Sequence, residues 1–404
     1  MRKKTMYRLL AFIIFTFALL GVVVRVELNR YSDRTEEQAN NGPQSTNDQG
    51  NTAKGSGSGA GGAGLEEAST KEADSDSASP SLPADNTQED TGPWEDIVLL
   101  FTGDIYLSDY ILNKYNQNGI DGILSEDLQK EFTGADIAMV NQEFAFTGGG
   151  TPARDKQFTF RVDPKNVQIF NDMQVDMVSL ANNHSMDFGI EGLTDSFDTL
   201  KNAGIQYVGA GHNITEAREI KYVDIKDKKI AYLGASRVIP ETGWNAGADK
   251  PGMLTTYDPA LLIEDIKTAE QESDYVIVYV HWGIERHETP ESYQRSLAKQ
   301  YIDAGADLVV GSHPHVLQGI EYYNGKPVIY SLGNFMFYNS IKQTAVLKVT
   351  LNEQSEADIR LLPVKSDNAS AYLPDEESKR SEFYRHMEDI SFDITFDGEG
   401  GVIR

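Results

Sequence analysis

Seven histidines occur in 404 residues, and four of them directly follow apolar runs that read as strands. His184 lies in Ser179-Leu180-Ala181-Asn182-Asn183-His184-Ser185-Met186-Asp187-Phe188-Gly189, and His281 in Val280-His281-Trp282-Gly283. His313 and His315 flank a proline in Gly311-Ser312-His313-Pro314-His315, a spacing that can set both imidazoles on one side of a turn. Asp104 and Glu143 close two further apolar runs. A single histidine of this sort is most often a hydrogen-bonded loop residue. Six polar, metal-competent groups at five strand ends form the pattern of a ligand site in an α/β fold.

The chain has no cysteine, so a metal must be held by His, Asp, Glu or Asn. Such a donor set suits one or two divalent ions of the Mn, Fe or Zn kind. Asn183 can ligate through its amide oxygen, whereas Asn182 can simply stabilise a turn. His184, next to the ligand, can point into the site without binding metal, as a general acid or oxyanion donor must. Asp187 has two readings, a carboxylate that orients His184 or the N-cap of the following helix. His212, His287 and His386 stand outside the strand-end pattern and read as structural or solvent-facing.

The elements that would position these groups alternate between strand and helix from about Glu95. Ile97–Phe101, Ile137–Val140, Met177–Leu180, Tyr275–Val280 and Leu308–Val310 read as buried strands. Helices are expected from Pro164 to about Val175, from Ile190 to Ala203 and from Glu291 to Ala304, the last two stopped by glycine. Hairpins are expected around Asp227-Lys228, around Asn324-Gly325 and between Ala345–Thr350 and Ile359–Val364. Because hairpins interrupt the strand–helix alternation, the expectation is a layered α/β domain with mixed sheets. It spans 95–340, and 341–404 reads as a C-terminal β extension.

The rest of the chain gives an address. Residues 1–28 hold Arg2-Lys3-Lys4, Arg8 and an uncharged run from Leu9 to Val24 closed by Arg25. No small-residue cleavage pattern follows, so the run reads as an uncleaved transmembrane anchor rather than a signal peptide, with a cytoplasmic N-terminus and an exported remainder. Residues 29–94 are rich in Gly, Ser, Asp and Glu and read as a disordered tether, with a coil reach of ~45 Å. Its glycine run lacks the Gly-Lys-Ser/Thr ending of a phosphate-binding loop. A formal net charge of −26 excludes the basic footprint that nucleic acid requires.

Taken in order, Gly103-Asp104, Asn141-Gln142-Glu143, Asn182-Asn183-His184-Ser185-Met186-Asp187-Phe188-Gly189, His281-Trp282-Gly283-Ile284-Glu285, Gly311-Ser312-His313-Pro314-His315 and Ser331-Leu332-Gly333-Asn334-Phe335 resemble the motifs of the CapA family. These are the capsule-synthesis proteins of poly-γ-glutamate producers. The resemblance runs from about Glu95 to Phe337 and implies a calcineurin-like metallophosphoesterase fold, a sandwich of two mixed β-sheets flanked by helices. It implies that Asp104, Glu143, Asn183, His281, His313 and His315 are metal ligands, with Glu143 shared, and that His184 is catalytic with Asp187 behind it. It also implies as partners the polymer, a cytoplasmic ATP-dependent amide ligase and a small membrane subunit.

The sequence departs from the wider superfamily where Asp-x-His is usual, because here the run is Asp104-Ile105-Tyr106. One metal position keeps Glu143, Asn183, His281 and His313, and the other only Asp104, Glu143 and His315. The expected function is an outward-facing, membrane-anchored component of poly-γ-glutamate synthesis and export that acts on or binds the polymer. Two alternatives remain, an independent extracellular hydrolase of a phosphoester or γ-glutamyl amide, and a non-catalytic polymer-binding scaffold.

Overall fold

Alternation along the strands sets the architecture. In Ile97–Ile105, the side chains of Ile97, Leu99 and Phe101 share one face and Leu100 takes the other; in Tyr275–His281, Tyr275, Ile277 and Tyr279 oppose Val276, Val278 and Val280. Strands that are apolar on both faces need cover on both. In the computed structural model, which describes residues 94–404, two sheets meet face to face and helices cover each outer side.

The first sheet runs in the order Ser370–Tyr372, Ala357–Asp367, Ile341–Leu351, Ile97–Ile105, Ile137–Gln142, Met177–Ser179, Gln206–Val208, with Asn334–Met336 joining the end of Ile97–Ile105. From Ile97–Ile105 to Gln206–Val208 the pairing is parallel, and beyond Ile97–Ile105 on the other side it is antiparallel. The second sheet runs Leu317–Tyr323, Lys326–Leu332, Leu308–Ser312, Tyr275–His281, Lys228–Ser236, Lys221–Ile225, parallel in the middle with antiparallel hairpins at both edges. Both sheets are therefore mixed, as the hairpins in the sequence require.

Three apolar layers result. Between the sheets, Leu99, Phe101, Leu347 and Val349 pack with Tyr232, Ile277, Tyr279 and Val310. Outside the first sheet, Val140 and Val178 meet Leu193, Phe197 and Leu200 of the helix Gly189–Ala203; outside the second, Val278 and Val309 meet Ile266 of Ala260–Glu272 and Tyr301 of Ser292–Asp303. Gly204, at φ 78°, ends the helix Gly189–Ala203 in the left-handed conformation that glycine tolerates best.

Two expectations are corrected. The helix from Pro164 opens as a 3-10 turn, Pro164–Val167, continues as Gln168–Asp172 and stops before Val175, because Gln174 takes a φ of 59° that no right-handed helix admits. Residues 341–404 are not a β appendage. Ile341–Leu351 pairs along nearly the whole of Ile97–Ile105 inside the first sheet, and Glu377–Ile390 is a helix that buries Phe383, Tyr384 and Met387 against the inter-sheet core. Periodicity could not show that this strand closes the flank of a central one.

The apolar run read as a membrane anchor and the tether after it lie outside the described residues. Among the described residues, no helix is long and apolar enough to cross a membrane.

Because Leu347 lies opposite Phe101 in the inter-sheet core, Leu347→Ala should cost the whole domain ~2–5 kcal/mol in urea unfolding, whereas exposed Lys342→Ala should stay within about 0.5 kcal/mol. A single transition shifted as a unit is expected. A second transition confined to residues 341–404 would contradict the shared core.

Candidate metal centre

Strand ends bring the polar groups together. Asp104 sits near the end of Ile97–Ile105, Glu143 directly follows Ile137–Gln142, His281 ends Tyr275–His281, and His313 and His315 follow Leu308–Ser312. The backbone at Asp104 approaches its neighbour too closely for a side chain one residue earlier: a Cβ on Gly103 would stand 1.8 Å from the Gly333 carbonyl oxygen. The Asp104 N–H donates to that same oxygen at 2.9 Å. Glycine is thus required there to seat the carboxylate.

Two donor groups form around one shared residue. Glu143, His281 and His313 offer atoms within 4.8 Å of one another, and so do Asp104, Glu143 and His315. Asn183 joins the first group, since its Oδ1 lies 2.7 Å from His281 Nε2. His281 Nδ1 is 3.0 Å from Ser312 Oγ and 3.4 Å from Asn141 Nδ2, so the ring is held from behind. In the second group His315 Nδ1 stands 3.2 Å from Asp104 Oδ2, 3.8 Å from Glu143 Oε2 and 2.7 Å from Asn334 Oδ1. All six residues read from the sequence as ligands are therefore at one place.

The electrostatics fit a cation. Both oxygens of Glu143 and Nδ1 of His313 are buried without any hydrogen bond. Buried polar groups are nearly always paired, so three orphaned donor atoms in one cluster mark the place of something that binds them. Burial, and then the charge of Asp104, push the Glu143 carboxyl well above the usual carboxylate range. Burial and the adjacent His315 lower His313 to about 3, and His281 is likewise lowered by burial and by His313. Burial opposes charge on His315 too, but Glu143, Asp104 and Asn334 outweigh it and hold this imidazole up at about 10. His281 and His313 are thus neutral donors beside carboxylates, as a divalent ion of the Mn, Fe or Zn class takes, and such an ion would displace the proton that Glu143 and Asp104 hold on His315.

His184 stands apart from both groups. Its Nδ1 lies 2.7 Å from Asp187 Oδ2, so the proton sits on Nδ1, and Nε2 has no hydrogen-bond partner among the described residues. The helix after this motif is capped by Phe188 without a side-chain bond, so Asp187 faces the imidazole instead of serving as N-cap. Asn182 does the turn work expected of it: its side chain accepts from the His184 N–H at 3.0 Å and donates to Asn141 Oδ1 and to the Gln142 carbonyl. His212, His287 and His386 lie away from the cluster, paired with Glu216, Glu291 and Glu288 respectively.

Four neighbours of the site were not singled out in the sequence. Asn141 donates to Asp104 Oδ1 at 2.8 Å, and Asn334 braces His315. Both lie inside the motifs, so their placement was the available signal. Lys156 bonds Asp187 and the Asn183 carbonyl, sits 3.0 Å from His184 Nδ1 and lies over the Trp244 ring. Phe160 stacks on the His184 ring at 4.3 Å. Lys156 and Phe160 come from an irregular segment with no period or motif to give them away.

Buried carboxylates and imidazoles converging at the strand ends of a two-sheet α/β sandwich define a candidate metalloprotein of the layered α/β class. The chain belongs to the family described as bacterial capsule synthesis protein PGA_cap, which matches residues 98–339. It is 33 % identical over 275 residues to the PGA biosynthesis protein CapA of Bacillus subtilis, covering 67 % of this chain and 72 % of that one. It is 31 % identical over 240 residues to the capsule biosynthesis protein CapA of Bacillus anthracis, covering 58 % of each. Among solved structures it aligns with a novel phosphatase from Mycoplasma pneumoniae at a TM-score of 0.45 and 13 % identity, over 68 % of this chain and 95 % of that one.

If Glu143 is the group that most needs a cation, metal should stabilise the wild-type protein and not Glu143→Gln. At about 100 times the dissociation constant, Mn or Zn should add about 2.7 kcal/mol to the wild type, read as a rise in melting temperature. With chelator present, Glu143→Gln should melt no lower than wild type, because it removes a buried carboxyl that has no hydrogen bond to lose. A variant that gains as much from metal as wild type would remove Glu143 from the ligand set.

Proposed function

We propose that this protein is a membrane-anchored, outward-facing component of poly-γ-glutamate synthesis and export, whose metallophosphoesterase-like site acts on or binds the polymer. The observation that carries the reading is one of extent: the family match, residues 98–339, contains every residue of the buried donor cluster. The related proteins of the two Bacillus species carry names for PGA or capsule biosynthesis. The basic N-terminus and the uncharged run Leu9–Val24 support an anchor with the folded part outside. Nothing in the motifs suggests ATP-driven ligation, so the reading includes a cytoplasmic amide ligase and a small membrane subunit as partners.

Glu143, Asn183, His281 and His313 would hold one ion, and Asp104, Glu143 and His315 would hold a second with fewer protein ligands. A divalent ion at such a site polarises a bound oxygen and lowers the pKa of bound water. The chain's own contribution is position and proton control. His184, fixed by Asp187 through Nδ1, keeps Nε2 for substrate, in the manner of a general acid or oxyanion donor. Phe160 against its face limits its rotation and excludes water from that side. This paired imidazole and carboxylate favour a hydrolytic step on a γ-glutamyl amide or a phosphoester over a purely passive scaffold.

Two substitutions separate metal holding from substrate contact. His313→Ala should lower bound metal, melting temperature and polymer production together when it replaces the chromosomal copy. His184→Ala should keep metal content and melting temperature and still reduce polymer production or hydrolysis, by ~10²–10³-fold in rate if the step is chemical. Metal is read by elemental analysis of the purified protein. Normal polymer from the His313→Ala strain would remove the metal centre from the function, and normal turnover by His184→Ala would favour the scaffold.

A further inference from the structure

A lysine from the irregular segment between the short strands Ala145–Phe146 and Arg161–Val162 reaches the Asn183-His184 motif from behind. The Lys156 side chain is 13 % exposed, and the Asp187 side chain that it meets is fully buried. A lysine is seldom buried to that extent unless its ammonium is paired. Here the ammonium donates to the Asp187 carboxylate and to the Asn183 carbonyl, and the Trp244 ring offers it a cation–π face at 5.3 Å.

Both acceptors depend on this one lysine. Among the described residues, no backbone N–H bonds the Asn183 carbonyl. Of the Asp187 oxygens, Oδ2 takes the Phe160 N–H at 2.6 Å and the His184 Nδ1–H at 2.7 Å, which leaves Oδ1 to Lys156. The segment itself is seated by other means. The Ala145 and Thr147 N–H groups donate to the Phe160 and Val162 carbonyls at 3.1 and 3.0 Å, and the Ala153 N–H donates to the Asp187 carbonyl at 2.8 Å. A staple for the loop would therefore be redundant, whereas the contacts on Asn183 and Asp187 have no substitute. Those two residues govern two arms of the site: Asn183 turns its Oδ1 to His281 Nε2 at 2.7 Å, and Asp187 holds the His184 ring.

We propose that Lys156 is a positioning residue that sets both arms at once, the Asn183 amide toward the metal and the His184 imidazole toward substrate. This role rests on the functional reading above, in which Asn183 is a ligand and His184 meets substrate. One ammonium between two acceptors links the main chain of the ligand to the carboxylate behind the imidazole, so a shift of either arm disturbs the other. An ammonium suits this task because its three donors point in different directions, whereas the N–H groups of a guanidinium share one plane. Outer partners that orient ligands in this way are worth about 10- to 100-fold in metal affinity or activity.

The test uses the full-length protein with zinc as the probe. Zinc affinity is read by calorimetry, and the His184 tautomer by nitrogen NMR of histidine-labelled protein, with the His184 signal assigned by its loss in His184→Ala. Lys156→Met should weaken zinc binding by about 10- to 100-fold and replace the single Nδ1–H signal of His184 by a mixture of tautomers. It should also melt lower, because it leaves the buried Asp187 without its counter-ion. Lys156→Met combined with Asp187→Asn removes both charges, so it should recover the melting temperature without recovering zinc affinity. Recovery of affinity together with stability would reduce Lys156 to a charge balance and overturn the proposal. Wild-type zinc affinity and a wild-type His184 signal in Lys156→Met overturn it as well. In that case a His313→Ala strain that makes no polymer leaves the functional reading standing. If Lys156→Met shifts both readouts as expected while the His313→Ala strain makes normal polymer, the positioning role stands and the functional reading fails.

Discussion

Burial of two carboxylates at the ends of neighbouring strands is the constraint on which the centre of this molecule turns. Asp104 and Glu143 are both fully buried, and ionised carboxylates out of water are costly unless paired. Asp104 is compensated by the Asn141 amide, the His313 N–H and the His315 ring. Glu143 has no such hydrogen bonds and sits between two imidazoles, 3.6 Å from one and 3.8 Å from the other. The backbone bears part of the burden as well, because His313 and His315 take φ values of 101° and 59°, a region non-glycine residues rarely occupy. Strain of that kind persists where surrounding structure over-determines it, and here both strained residues carry donor atoms of the cluster.

The two donor groups are unequal, and an aromatic wall that includes Tyr106 borders the smaller one. The Tyr106 ring stacks on Phe160 at 4.2 Å and meets Phe337 edge-on at 5.5 Å. Phe160 continues the stack onto His184, and Phe337 lies against His315 at 5.1 Å. The tyrosine therefore belongs to an aromatic wall that runs from the proposed catalytic imidazole to the second donor group. Such a wall lowers the local dielectric and strengthens the charge interactions inside it. An ion held by Glu143, Asn183, His281 and His313 would have four protein donors, against three on the Tyr106 side.

Lys156 adds a positive charge at the rim. Burial pulls its pKa down, and its contacts with Asp187, His184 and the Asn183 carbonyl tie an irregular loop to the Asn183-His184 motif.

Residue type and order already mark which groups could bind a metal and that they sit at strand ends, because continuous apolar runs lead into Asp104, Glu143, His281 and His313. Mixed sheets were legible too, since hairpins such as those expected at Asp227-Lys228, whose turn falls one residue earlier, and at Asn324-Gly325 are local and need no distant partner to form. Folding alone brings Ile341–Leu351 against Ile97–Ile105, turns Asp187 to His184 rather than to a helix N-terminus, and carries Lys156 and Phe160 to the site. Each of these depends on contacts between segments far apart in the chain, and no local period or propensity encodes such a contact. The donor set was legible because its chemistry is carried by residue type, whereas its surroundings are set by packing.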